Sequence, residues 1–280
     1  METFFSFLER RVDDCSSLLC IGLDPHSADL EHPSAAAARD FCLNLVKKTA
    51  PYAAAFKPNA AFFEQYGSRG WSALKQVIEA IQDESQRLGS MIPVVLDAKR
   101  GDIASTAEAY AESAFDKLHA HCITLSPYLG KDSIDPFLKN QEHGVFLLCK
   151  TSNPGSGDLQ DLRLEDGDLL YERVARLAQQ WNTKNNIGLV VGATQPEALR
   201  RIRALAPHLW FLAPGVGVQG GDLETALTAG LRPDGLGMLL PVSRGISRAA
   251  DPAQAAADLR DQILSIRYHI RHQRKENHDQ

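Results

Sequence analysis

Short apolar runs alternate with helical stretches along the whole chain. Each run has the length of a strand and is followed by a polar loop with Gly or Pro and then by a stretch with helical spacing. The eight runs are residues 18–23, 53–56, 92–96, 122–125, 145–149, 187–191, 210–213 and 235–240. Eight strand–helix units in series, without a linker-like break, predict a parallel (β/α)8 TIM barrel.

The same pattern predicts a single domain over residues 1–280, because α/β barrels of this length fold as one unit. A doubly wound open sheet would also alternate strands and helices, but it usually has fewer strands. A helix over residues 2–15 precedes the first strand and is expected to cover the bottom of the barrel. Residues 271–280 are polar and charged, and we expect them to form a tail.

The amino-acid composition argues against several classes of function. A net charge of −5 gives no overall basic field, which disfavours nucleic-acid binding. Five cysteines without a C-x-x-C pair fit the reduced thiols of a cytosolic protein. No apolar run reaches the ~18 residues that span a bilayer, and the N-terminus lacks the basic region of a secretory signal. We therefore expect a cytoplasmic protein with no nucleic-acid or membrane partner.

Asp97 and Lys99 stand at the end of the third apolar run, followed by Asp102. Strand side chains alternate in direction, so Asp97 and Lys99 are expected to share one side. Charged groups at the mouth of a buried strand cost desolvation energy, which favours a functional role. The alternatives are that Asp97 and Lys99 form a structural ion pair and that Asp102 caps a helix.

The other strand ends carry polar residues as well. Asp24 follows the first run, Lys57 the second and Ser126 the fourth, and residues 150–157 after the fifth run are rich in hydroxyl and amide groups. The active site of such a barrel lies at the carboxyl ends of its strands. The sequence therefore predicts a site at this end.

Two loops near the C-terminus suit a phosphate group. Residues 214–222 are glycine-rich and include Gln219, and residues 242–246 include Arg244. Glycines let backbone N–H groups approach an anion, and arginine binds phosphate with two parallel hydrogen bonds. Either loop alone could be an ordinary glycine turn. Together, after strands seven and eight, they favour a phosphorylated substrate.

These residues together resemble the orotidine 5′-monophosphate decarboxylase family, over residues 22 to 245. Asp97-x-Lys99-x-x-Asp102 alone is shared with sugar-phosphate lyases of the same barrel type, whereas the full set is more specific. The region between strands five and six, which includes the insertion 151–168, resembles the longer bacterial-type branch of the family. The resemblance rests on Gly-Leu-Asp24-Pro, Lys57, Asp97-x-Lys99-x-x-Asp102-Ile-Ala-Ser-Thr106, Ser126-Pro, Gln219 and Arg244.

The resemblance implies a carboxy-lyase that converts orotidine 5′-monophosphate to UMP and CO2 in pyrimidine biosynthesis, with no cofactor and no metal. Lys99 would stabilise the negative charge developing at C6 of the pyrimidine and then protonate that carbon, with Asp97 beside the departing carboxylate. Lys57, Asp97, Lys99 and Asp102 would form a network of alternating charge.

The resemblance also implies the binding residues and a homodimer. Asp24 and Lys57 would hold the ribose hydroxyls, and Ser126 would contact the ring. Asp102 and Thr106 would be contributed from the partner subunit. The remaining two residues, Gln219 and Arg244, would bind the phosphate.

Two other functions remain open from the sequence. A metal-dependent sugar-phosphate lyase or epimerase would need a cage of oxygen or imidazole ligands. His119 and His121 lie at the start of the fourth run, away from the expected site, whereas His26 could approach it. A catalytically silent nucleotide-binding barrel would need the phosphate loops, but it has no use for two carboxylates around Lys99.

Overall fold

The computed structural model describes residues 2–215 and 220–276 and contains eight parallel strands in the order β2-β1-β8-β7-β6-β5-β4-β3. Isolated bridges from Phe56 to Val94 and from Asn59 to Asp97 bring β2 against β3, so the sheet closes. The predicted (β/α)8 barrel is confirmed. The strands are β1 (Leu19–Leu23), β2 (Ala55–Pro58), β3 (Val95–Arg100), β4 (Cys122–Leu125), β5 (Gly144–Lys150), β6 (Ile187–Val191), β7 (Phe211–Leu212) and β8 (Met238–Val242).

Helices surround the barrel and connect the strands. No helix among the described residues is both long enough and apolar enough to cross a membrane. The last helix continues to Glu276 and therefore includes part of the segment 271–280 that the sequence assigned to a polar tail. The helices are α1 (Phe4–Cys15), α2 (Ala35–Thr49), α3 (Ala61–Glu64), α4 (Gly67–Leu88), α5 (Ala104–Glu112), α6 (Leu170–Trp181), α7 (Pro196–Leu205), α8 (Gly220–Gly230), α9 (Arg244–Ser247) and α10 (Pro252–Glu276).

Burial along the strands explains why short apolar runs form this sheet. Every residue of β1, β2, β4, β6, β7 and β8 is buried, as expected for parallel strands covered on both faces. β3 is different, because it is buried only as far as Leu96, and Asp97 to Arg100 are partly or fully exposed. The sheet therefore opens to solvent where β3 ends.

Helix α1 packs against the end of the barrel at which the strands begin. Phe5 stacks on Trp210 with ring centroids 6.2 Å apart and meets the edge of Phe146 at 5.6 Å. The buried Arg11 donates hydrogen bonds to the carbonyls of Ala50 (2.8 Å) and Ala53 (3.0 Å), just before β2. These contacts fill the lower end of the barrel beneath the strands.

We predict that Gly144→Ala lowers the free energy of unfolding by about 1–3 kcal/mol, the usual cost of overpacking a core. A Cβ at Gly144 would lie 2.2 Å from Cδ1 of Phe4, whose ring is fully buried. Gly155→Ala is the control, because its Cβ would meet no atom closer than 3.7 Å. Urea unfolding of both variants measures the effect. Equal losses of unfolding free energy in the two variants would show that Phe4 moves to make room for the new methyl group.

Candidate active site

Three charged side chains meet where β2 and β3 end. Nζ of Lys57 donates to Oδ2 of Asp97 at 2.9 Å, and Nζ of Lys99 donates to Oδ1 of the same carboxylate at 2.6 Å. Lys57 and Asp97 are largely buried, with side-chain exposures of 9% and 11%, whereas Lys99 is 51% exposed. The carboxylate therefore holds two ammonium groups, one at the base of the site and one facing solvent.

The two ammonium groups fix the charge of Asp97. Burial alone would raise the pKa of this carboxyl, but Lys57 and Lys99 outweigh burial and hold the pKa well below its usual range. Burial alone would lower the pKa of Lys57, but the charges of Asp97 and Asp24 raise it. Asp97 is ionised and Lys57 is protonated at neutral pH.

A cavity of about 600 Å³ lies between the ends of β1, β2 and β8, and Lys57 forms part of its wall. Oδ1 of Asp24 and Oγ of Ser243 line it, and both atoms are buried without a hydrogen-bond partner among the described residues. Buried polar atoms normally have partners, so two such oxygens in one cavity indicate a place for ligand hydrogen-bonding groups.

Arg244 lies at the start of the short helix α9 and lines the same cavity. Its guanidinium makes no hydrogen bond or ion pair with any residue that the structure describes and is available to an anion. Gln219, the other predicted phosphate ligand, lies outside the described residues. The ends of β1 and β8 approach closely here, since a Cβ at Gly22 would lie 2.8 Å from Cβ of Ser243.

A second cavity of about 240 Å³ lies on the other side of Lys57, with Asp97 and Lys99 in its wall. Part of the remaining wall is apolar, which lowers the local dielectric constant and strengthens electrostatic interactions. The same wall carries Thr124, for which the sequence predicted no role. It also carries residues 151–153, which belong to the polar segment after the fifth run but were given no individual role. The apolar residues are Leu148, Val190, Leu212, Pro214 and Pro241.

The segment after β5 is folded onto the barrel by its own hydrogen bonds. Gln160 accepts from the backbone N–H of Thr151 at 2.8 Å and donates to the Thr151 hydroxyl at 2.9 Å. The buried Lys150 binds both oxygens of Asp161 at 2.7 and 2.8 Å. These contacts tie the first half of the insertion 151–168 to β5 and hold residues 151–153 against the smaller cavity.

Three predicted site residues lie apart from both cavities of the single chain. The backbone N–H of Ser126 donates to the carbonyl of Arg100, and Ser126 is in neither described cavity wall, whereas Ser152 is. Asp102 is half-buried and accepts from the N–H of Ile103 at 2.8 Å. Thr106 is exposed in the first turn of α5. Of these two serines, only Ser152 lines one of the two cavities.

Known proteins match this chain over most of its length. A model of the orotidine 5′-phosphate decarboxylase / HUMPS family matches residues 17–259. A protein named orotidine 5′-phosphate decarboxylase from Roseiflexus castenholzii is 48% identical over 271 residues, which cover 93% of this chain and 97% of that protein. The chain belongs to the orotidine 5′-phosphate decarboxylase / HUMPS family.

Two solved structures extend the likeness to three dimensions. A structure described as Leishmania donovani OMP decarboxylase has a TM-score of 0.86 and 54% identity, over 95% of this chain and 99% of that one. A putative orotidine-monophosphate decarboxylase from Toxoplasma gondii has a TM-score of 0.90 and 44% identity, over 97% and 98% of the two chains. The family resemblance that the sequence suggested is confirmed.

The histidines of this family member occupy different surroundings. His26 lines the larger cavity and meets the ring edge of Phe62, with centroids 4.5 Å apart. His121 accepts a hydrogen bond from the N–H of Val94, just before β3, and burial lowers the pKa of His121 to about 4. Within residues 2–215 and 220–276, no three His, Cys, Asp or Glu side chains are grouped as a metal ion would require.

We predict that Asp97 makes the stability of this family member depend on acid pH. Its pKa is depressed in the folded state, so its stabilising contribution is complete above the unfolded value of ~4 and is lost as the pH falls below it. The gap in unfolding free energy between the wild type and Asp97→Asn should shrink by up to about 1.4 kcal/mol per pH unit below ~4.

Urea unfolding at pH 7, 4 and 3 measures this gap. The exposed Glu165→Gln variant controls for the change in net charge. A gap that stays constant over this range would show that the folded protein does not favour the ionised form of Asp97.

Proposed function

We propose that this protein decarboxylates orotidine 5′-monophosphate to UMP and CO2 in pyrimidine biosynthesis. The observation that carries the proposal is the array of Lys57, Asp97 and Lys99, which borders two adjoining cavities. The names of the relatives support it, since the Roseiflexus and Leishmania proteins carry this activity in their names. Five free, buried cysteines fit the cytoplasmic location proposed with it.

The larger cavity would hold the ribose and the phosphate. Arg244 would bind the phosphate, with Gln219 as the second ligand. The partnerless oxygen of Asp24 would accept a hydrogen bond from a ribose hydroxyl, and the ammonium of Lys57 would donate to another. An Arg contact to a phosphate and a carboxylate contact to a hydroxyl are both charge-assisted hydrogen bonds, which are stronger than neutral ones.

The smaller cavity would hold the pyrimidine ring, with its apolar wall against the ring face. Ser152 lies in this wall, at the end of the cavity formed by the loop after β5, and would hydrogen-bond a polar edge of the ring. Ser126 remains the other candidate from the sequence. The ring carbon that bears the carboxylate would face Asp97 and Lys99.

Decarboxylation breaks the bond between C6 and the carboxylate, and its electron pair stays on C6. The ring offers that pair no adjacent electron sink, so a fixed positive charge must stabilise it. The ammonium of Lys99 would provide this charge and then transfer one proton to C6, which gives UMP and a neutral amine. Asp97, beside the departing carboxylate, would repel it and hold the ammonium in place. The reaction would use no cofactor and no metal.

A homodimer would complete the site. Asp102 and Thr106 lie outside both cavities of their own chain, on the segment that follows β3. Ile103, next to Asp102 along the chain, is 52% exposed, and in the loop after β4 Leu129 is 47% and Tyr128 is 80% exposed. An exposed apolar patch at the rim of a site is typical of an interface. A second copy seated there would bring its Asp102 and Thr106 toward this site.

We predict that Lys99→Ala lowers kcat by at least about 10³-fold, because the charge and the proton donor are lost together. Binding of UMP should survive, since the ribose and phosphate contacts belong to the other cavity. Absorbance at the pyrimidine band follows loss of orotidine monophosphate, and calorimetry measures UMP binding. Lys75→Ala, an exposed lysine on α4, is the matched control. Turnover by Lys99→Ala close to that of the wild type would refute the role.

The same assay distinguishes the two alternative functions. A metal-dependent sugar-phosphate lyase would leave orotidine monophosphate intact and would lose its own activity in EDTA. A silent nucleotide-binding barrel would bind UMP and leave orotidine monophosphate intact for hours. The proposed decarboxylase turns over its substrate at the same rate with and without EDTA.

We predict that two inactive variants restore activity when they are combined. Lys99→Ala and Asp102→Ala, co-expressed with different tags, should form hybrid dimers in which one site has both native residues. Random mixing gives about a quarter of the wild-type number of sites. Recovery near that level supports a shared site. If purified hybrids remain as inactive as the parents, Asp102 acts within its own subunit.

A further inference from the structure

The end of β3 departs from regular strand geometry at the lysine that the proposed function depends on. Lys99 has a φ of +48°, a left-handed conformation that residues with a side chain rarely adopt. The pairing of β3 with β4 also slips between Leu96 and Arg100. The backbone N–H groups of Ala98 and Lys99 therefore need a partner that β4 does not supply through its own carbonyls.

Thr124, on β4, supplies that partner with its side chain. Its Oγ1 accepts from the N–H of Ala98 at 3.0 Å and from the N–H of Lys99 at 3.0 Å. The same hydroxyl donates to Oδ1 of Asp97 at 3.0 Å, the oxygen that also receives Nζ of Lys99. Thr124 is 1% exposed.

Only a hydroxyl can make this set of three bonds in so small a space. It has one hydrogen to donate and two lone pairs to accept with, and all three are used here. A methyl group in its place would leave two N–H groups and one carboxylate lone pair without these partners in a partly buried setting. The left-handed turn at Lys99 and the orientation of the Asp97 carboxylate would then lose a common anchor.

We propose that Thr124 is a positioning residue, whose hydroxyl fixes the Lys99 ammonium and the Asp97 carboxylate relative to the reacting carbon. The proposal rests on the decarboxylase function proposed above. Thr124 acts through Asp97 and Lys99, which carry out the chemistry. A displaced ammonium stabilises the developing charge less, so the loss falls on the chemical step and not on binding.

Thr124→Val removes the hydroxyl and keeps the shape of the side chain. We expect kcat to fall at least about tenfold while KM for orotidine monophosphate changes less than about threefold. Thr124→Ser keeps the hydroxyl and should retain kcat within about threefold. The split between kcat and KM and the rescue by serine separate positioning from a general loss of packing. A kcat for Thr124→Val equal to that of the wild type within error would overturn the proposal. A loss of kcat in Thr124→Ser as large as that in Thr124→Val would also overturn it.

Thr124→Cys covers the case in which the valine variant does not fold. A thiol is close in size to a hydroxyl but is a weak donor and a weak acceptor. A kcat at least about tenfold below that of Thr124→Ser supports the proposal. Equal kcat values for Cys and Ser overturn it.

Hydrogen exchange of the backbone tests the anchor without any turnover. The amide hydrogens of Ala98 and Lys99 should exchange faster in the folded Val or Cys variant than in the wild type, while amides of β5 and β6 keep their rates. Unchanged exchange at Ala98 and Lys99 overturns the proposal whatever the activity. An inactive wild type with protected amides at these positions would instead refute the decarboxylase function.

Discussion

The ion pairs between Asp97 and the two lysines are the interaction on which the rest of the site depends. A single buried carboxylate at the end of β3 would cost several kcal/mol of desolvation energy. Lys57 from β2 and Lys99 from β3 itself offset that cost at 2.9 and 2.6 Å. The arrangement fixes where β2 must lie against β3, and it divides the open end of the barrel into two cavities that share Lys57. Removing the charge of any one of these three side chains leaves the charge of another without its full electrostatic partner.

The barrel lets this array act on a ligand that is anchored elsewhere. Arg244 and Asp24 reach the larger cavity from the ends of β8 and β1, while Asp97 and Lys99 face the smaller one. A phosphate group can thus be bound on one side of Lys57 while negative charge develops on the ligand on the other side. Binding energy from the remote phosphate can then favour the reacting geometry. The closed lower end, filled by α1, gives the strand ends a rigid base.

The alternation of apolar runs and helices predicted all eight strands, because parallel strands buried on both faces are continuous apolar segments. Strand ends were less predictable: Lys57 and Lys99 lie within β2 and β3, since backbone pairing continues past the last apolar residue. Thr124 was missed because its role depends on a slip in pairing with β3, which no local pattern encodes. Ser126 and Ser152 both follow a strand, and only the fold shows that Ser152 lines the cavity. The partner-dependent roles of Asp102 and Thr106 come from the family resemblance and stay predictions.

In the proposed reaction, negative charge develops at C6, opposite the Lys99 ammonium, with no covalent or addition intermediate. The most direct test is decarboxylation of orotidine monophosphate by the wild-type protein in D2O, with the UMP analysed by NMR. We predict UMP with deuterium at C6 and hydrogen retained at C5, because the only new bond to hydrogen replaces the lost carboxylate. Deuterium at C5 would reveal an intermediate formed by addition to the ring and would rule out this mechanism, as would orotidine monophosphate that remains intact.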